Sequence, residues 1–212
     1  MSSREQTQRN YDRMARWYDL FASSERKFTE IGLRMLDAHR GERILEIGSG
    51  TGHALAELAT MVGETGFAVG VELSTGMIRA AKKRIGAIRP ERGAAMLQGD
   101  ALNLPFAEAS FDAIFLSFTL ELFDDIPVVL EQCQNVLEPH GRIGIVCMAM
   151  GSSLTYHLYK WGHERFPAVL DCRPIQASEI LQVSGFSLKE SQTKTLWGLP
   201  VDILVAENMV TQ

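Results

Sequence analysis

Cysteine is scarce in this chain: Cys133, Cys147 and Cys172 are the only three among 212 residues, and no two form a CxxC pair. An odd, widely spaced set excludes a disulfide scaffold, suits a reducing compartment and reads as buried thiols, with no metal site expected. Long hydrophobic runs are also lacking. The most apolar windows are broken by glycines or by Glu121, well short of the roughly 20 residues that span a bilayer. The opening MSSREQTQRN is polar, without the apolar core of a secretory signal, so a cytoplasmic location is expected. Nor is there a basic excess. Twenty-one Lys and Arg against 26 Asp and Glu leave a net charge of −5, which argues against a general polyanion binder and against nucleic acid as a partner.

What is there describes a globular chain, 46% hydrophobic and 22% charged, able to bury roughly 70% of its unfolded surface without staples. No repeat, low-complexity tract or linker divides it. Short runs rich in Ile, Val and Phe predict strands at 43–47, 68–72, 94–98, 111–117 and 142–148. Helical spacing falls between them at 53–62, 76–88 and 126–137. In the last of these Ile126, Val129, Leu130, Cys133 and Leu137 share a face and Pro127 suits a helix start. Strands alternating with helices predict an α/β fold with a parallel sheet covered on both faces. Near the end, a helix at 176–183 and two late strands joined by a short connection through Trp197, Gly198 and Leu199 predict an antiparallel edge.

The first strand runs into Gly48, Ser49, Gly50, Thr51 and Gly52 before a helix. The spacing is GxGxG. A dinucleotide loop would place its third small residue where His53 stands, and no Gly-Lys-Ser/Thr of a triphosphate loop follows. A nucleoside without a diphosphate fits better. Glu46 ends the first strand, where a carboxylate can accept from a cationic amino group. Glu72 ends the second, where it can accept from both hydroxyls of a ribose, and Asp100 follows the third, placed for an adenine amino group beside the Ala101 amide. Carboxylates at successive strand ends sit where an open α/β sheet takes its ligand.

These residues resemble class I S-adenosylmethionine-dependent methyltransferases. ILEIGSGTG at 44–52, VGVELSTGM at 69–77 and QGDALNLP at 98–105 are similar to that family's first three motifs, and the likeness runs over about 43–207. Within the family, Tyr11-Asp12, Trp17-Tyr18-Asp19, Leu102 to Phe106 and Ser110-Phe111-Asp112 are similar to the ubiquinone and menaquinone C-methyltransferase branch and its type 11 relatives. The resemblance implies a Rossmann-like, seven-stranded, mostly parallel sheet with an antiparallel strand near the C-terminal edge and a small helical cap. It implies one domain over 1–212: a cap at 1–42, a cofactor-binding core at 43–148, a cap insertion at 149–175, and a C-terminal helix with an edge hairpin at 176–212.

It also implies S-adenosylmethionine as cofactor, held by Tyr11, Tyr18, Glu46, Gly48, Ser49, Gly50, Gly52, Glu72, Leu73, Met77, Asp100, Ala101, Ser117 and Phe118, and an in-line methyl transfer. Tyr18 and His163 are the catalytic candidates. His157, Asp171, Tyr156, Thr119 and Glu121 are further candidates for a base, which is needed only if the acceptor must lose a proton. The expected acceptor is small, apolar or soft, such as a quinol precursor. The alternatives are a thiol, an amine or a phospholipid head group, with a non-catalytic nucleoside-binding module behind them. The stripe Arg79, Lys82, Lys83, Arg84, Arg89 and Arg92 is expected to be a solvated helix face, with contact to anionic lipid as the alternative. A monomer or homodimer is expected.

Overall fold

The computed structural model describes residues 22–88, 93–151 and 173–209, together with Tyr156, Tyr159, Trp161 and Arg165. The apolar runs become β1 (Arg43–Ile47), β2 (Phe67–Glu72), β3 (Ala94–Gln98), β4 (Phe111–Ser117), β5 (Leu137–Met148), β6 (Phe186–Leu196) and β7 (Leu199–Asn208). The helices are α1 (Arg26–Leu36), α2 (His53–Val62), α3 (Thr75–Ile88), α4 (Ile126–Val136) and α5 (Ala177–Val183). One sheet holds all seven strands in the order β3-β2-β1-β4-β5-β7-β6. β7 runs antiparallel to both its neighbours, and every other pair is parallel.

Strand alternation distributes the core over both faces. Leu45, Ile47, Val69, Val71, Ile114 and Leu116 pack on one side with α4 and α5. Ile44, Ala68, Ala113 and Phe115 pack on the other with α1 and α2. Glu46 has the parity of Ile44, so it points toward the α1 and α2 layer.

Two local features differ from the periodicity. α4 opens on Asp125, whose side chain accepts from the Val128 N–H, with Pro127 in the first turn, but the helix stops at Val136. Leu137 is already extended and pairs with Phe111 before the register shifts. The strand therefore begins five residues earlier than the Ile-Val run suggests. α1, read only as part of a helical cap, packs Phe28, Leu33 and Leu36 on the sheet. A Cβ at Gly32 would lie 2.6 Å from Val146, so glycine lets the helix sit close. Arg142 of β5 fixes the far end of α1 by donating to the Leu36 carbonyl at 2.5 Å and to the Glu42 carboxylate at 2.7 and 2.9 Å.

The chain leaves β1 in one direction to build β2 and β3 and returns on the other side for β4 and β5. This reversal opens a crevice at the carboxyl ends of β1 and β4, the place where open α/β sheets bind ligands.

Candidate cofactor site at the strand ends

The glycine loop divides that crevice into two lobes, and Gly48, Gly50 and Phe118 line both. Gly48, Gly50 and Gly52 have φ of 70°, 52° and 78°, the left-handed region that side chains disfavour. A Cβ at Gly48 would also meet Thr119 at 2.3 Å. The loop is held from below, since the Gly48 N–H donates to the Val71 carbonyl at 2.8 Å and the buried Ser49 hydroxyl to the Glu46 and Val71 carbonyls. Gly70 makes room for that hydroxyl, which a Cβ would approach to 2.3 Å. Arg84 donates to the Thr51 carbonyl from α3.

The larger lobe is a cavity of about 540 Å³ over β2 and β3, within the size range of small-molecule sites. Glu72, Leu73, Met77, Asp100 and Ala101 line it. Glu72 is already engaged by the protein: Oε2 accepts from the Gly50 N–H at 3.0 Å and Oε1 from the Ser74 N–H at 2.8 Å. One carboxylate thus clamps the glycine loop to the second strand. Asp100 Oδ1 accepts from the Leu102 N–H at 3.0 Å. The far wall, which the sequence reading did not assign, comprises Leu122, Phe123, Asp124, Asp125 and Val128. It is built by a turn at Leu120–Leu122 and the start of α4.

The smaller lobe, about 110 Å³, lies between α1 and the start of α2. Glu46 lines it and is 3% exposed. Its Oε2 has no hydrogen-bond partner among the described residues. Burial, then the negative charge of Glu72, pushes its pKa well above the ordinary 4.5, against the Leu55 N–H that favours the ionised form. Glu25, Glu30 and Glu57 line the same lobe, and Glu57 is also shifted upward, chiefly by burial and then by Glu30. The positive side is Arg26, 2.9 Å from His53 Nδ1. Ser117 hydrogen-bonds Thr29 of α1 at 2.7 Å. Phe118 holds φ at 50°, stacks edge-on against Phe28 and donates its N–H to the Val146 carbonyl at 2.7 Å.

The structure therefore brings Glu46, Ser49 and Ser117 to one lobe, Glu72, Leu73, Met77, Asp100 and Ala101 to the other, and Gly48, Gly50 and Phe118 to the boundary. Gly52 lines neither. It packs against Ala81, 2.8 Å from where its Cβ would be. Thr119 lines the larger lobe, while Glu121 is buried and accepts from the Met148 N–H at 3.0 Å. Tyr11, Tyr18, His157, His163 and Asp171 lie outside the described residues. Thr29, Arg26 and the wall from Leu122 to Val128 carry no motif. Only the helical spacing of α1 and the Asp125-Ile126-Pro127 start could have drawn attention to them.

A glycine loop after β1, carboxylates at the next two strand ends and a lone antiparallel β7 define the Rossmann-like methyltransferase architecture. Residues 44–141 match the family described as a methyltransferase domain, and the sheet order and glycine loop are similar to those of class I S-adenosylmethionine-dependent methyltransferases. The cofactor of that class is S-adenosylmethionine. The chain is 32% identical over 136 residues to a 2-phytyl-1,4-naphtoquinone methyltransferase of Nostoc punctiforme, covering 64% of this chain and 58% of that one. It is 32% identical over 113 residues to a demethylmenaquinone methyltransferase of Lactobacillus johnsonii, covering 53% and 46%. The matches thus span about half the length of these relatives. A SAM-dependent methyltransferase structure from Aquifex aeolicus superposes with a TM-score of 0.64 at 18% identity, covering 84% of this chain and 88% of that one, which shows the shared fold. No described helix is long and apolar enough to cross a membrane, and no described cluster of His, Cys, Asp and Glu could hold a metal.

Proposed function

We propose that the protein transfers a methyl group from S-adenosylmethionine to a small apolar acceptor of the quinol-precursor kind. The observation that carries the cofactor half is Glu46 Oε2, buried and unpartnered among the described residues. A buried polar atom without a partner is costly, and a cationic amino group is the complement that such a carboxylate takes. The neighbouring excess of carboxylates over Arg26 suits a ligand with positive charge, while Arg26 beside His53 offers donors for its carboxylate end. The larger lobe matches a nucleoside: Glu72 lines it where a carboxylate can accept from ribose hydroxyls, and Asp100 with Ala101 can serve adenine.

Bound there, S-adenosylmethionine would supply a methyl group activated by its sulfonium. The chain's own work is placement. Glu46 and the glycine loop fix one end, Glu72 and Asp100 the other, and Phe118, held in a strained backbone conformation between the lobes, separates them. Alignment of two reactants can lower a barrier by about 7 to 11 kcal/mol. The acceptor half rests on Leu102, Leu122, Phe123 and Val128 around the larger lobe and on the two quinone methyltransferase relatives. A second reading, transfer to a small amine, is favoured by Asp124 and Asp125 on the same wall.

A methyl-transfer assay over demethylated quinols, thiols, amines and phospholipids tests the proposal. Methylated quinol alone is the expected result, and methylated amine alone would move the assignment to the second reading. Tight cofactor binding with no product from any acceptor would leave a nucleoside-binding module.

A further inference from the structure

The turn between β6 and β7 breaks a local rule at the end of the sheet that carries the cofactor site. Leu196 pairs with Leu199 across two residues, Trp197 and Gly198, whose φ values are 51° and 82°. Positive φ at both positions is the turn that Asn-Gly or Asp-Gly forms readily, and a bulky side chain at the first position is strained. Trp197 is nevertheless there, and it is 77% exposed, whereas its neighbours Leu196 and Leu199 are only 6% and 8% exposed. The hairpin is thus anchored in the core while its strained tip presents an indole to the outside.

Further exposed groups follow in the chain after β5, which ends beside the hairpin. β7 starts opposite the end of β5, Val201 pairing with Met148, so the tip projects at the carboxyl ends of the parallel strands. Met150, 49% exposed, follows β5 directly. Gly151 sits against both Pro200 and Tyr156, which joins the hairpin base to the following segment. There Tyr156 is buried while Trp161, 61% exposed, and Arg165, four residues further on, both have helical backbone and face outward. Lys194 is exposed on β6 beside the tip.

We propose that Trp197, with Met150 and Trp161, is an interfacial anchor that seats this end of the molecule on a bilayer surface carrying anionic lipid. Tryptophan beside arginine and lysine is the composition of a membrane–water boundary, where the indole sits at head-group depth and the cations meet lipid phosphate. This face, and not the basic stripe along α3, is where contact with a membrane would bring the site to a lipid-soluble acceptor. The anchor stands on its own geometry, and the proposed acceptor supplies only its use.

The test is co-sedimentation of the full chain with mixed phosphatidylcholine and phosphatidylglycerol vesicles, read together with tryptophan emission. The wild-type protein should bind with a blue shift, and more weakly to pure phosphatidylcholine. Trp197→Asn, which suits the turn better, should bind about tenfold more weakly, the loss expected when one large apolar side chain no longer inserts. Its melting temperature should be equal or higher, and its affinity for S-adenosylmethionine unchanged. Wild-type protein that stays in the supernatant, or Trp197→Asn protein that sediments as well as wild type, would overturn the anchor. So would a dimer in solution that the Trp197→Asn change dissociates, since the tip would then be covered by a second copy. Failure to bind S-adenosylmethionine would strike the proposed function and leave the vesicle result intact.

Discussion

The two lobes of the site hold their carboxylates in opposite ways. In the larger lobe Glu72 and Asp100 accept from the protein's own N–H groups, at Gly50, Ser74 and Leu102. In the smaller lobe Glu46 is buried and its Oε2 lacks a partner among the described residues. A satisfied carboxylate is a scaffold, whereas an unsatisfied buried one carries a cost that protonation or a ligand relieves. On the proposed reading the lobe offered to the nucleoside is preformed, and the lobe offered to the amino group is where binding and protonation would be coupled.

The sharpest way to break this contrast is at the boundary. Gly48→Ala forces a Cβ into Thr119 at a φ of 70°. It should cost about 2 to 5 kcal/mol of stability and abolish cofactor binding in both lobes, as read by thermal melts and calorimetry. Next is Glu46. Replacing it with Gln should weaken S-adenosylmethionine by about 2 to 4 kcal/mol, the loss when one partner of a buried charge pair is removed, while raising the melting temperature of the ligand-free protein near neutral pH.

The pH dependence follows from the upward shift. The folded protein holds the Glu46 proton more tightly than the unfolded chain does. Stability should therefore fall as pH rises from the ordinary 4.5 through the raised folded value, and remain lower above it. Melts across that window should show the slope in wild type and a flatter profile in Glu46→Gln. The Glu72→Ala change should cost about 1.5 to 3 kcal/mol of affinity, the worth of hydrogen bonds to a charged group, and leave the Gly50 N–H without its acceptor. Asp100→Asn, which keeps one acceptor oxygen, should cost least, about 0.5 to 1.5 kcal/mol. Equal losses at Glu46 and Asp100 would erase the distinction between the lobes.

The same contrast separates what could be read from sequence from what could not. The alternation of strands with helices and the covering of both faces of the sheet follow from periodicity and from right-handed crossovers, and the larger lobe follows from carboxylates that end strands. That Glu72 binds the glycine loop itself is a matter of backbone N–H direction, which residue identity does not encode. The smaller lobe is half built by α1, where Thr29 reaches Ser117 across 88 residues of chain and Arg26 reaches His53. Neither pair is marked by spacing. The early end of α4 at Val136 was hidden because Leu137 continues the apolar face of the helix while its backbone has already turned to strand.

One comparison of ligands tests the account without altering the protein: calorimetric titration with S-adenosylmethionine and with an analogue that lacks only the amino group. The account predicts about 10- to 100-fold weaker binding of the deaminated compound, and proton release on binding the amino form at pH values where Glu46 is still protonated. Equal affinities, with no difference in protons released, would contradict it.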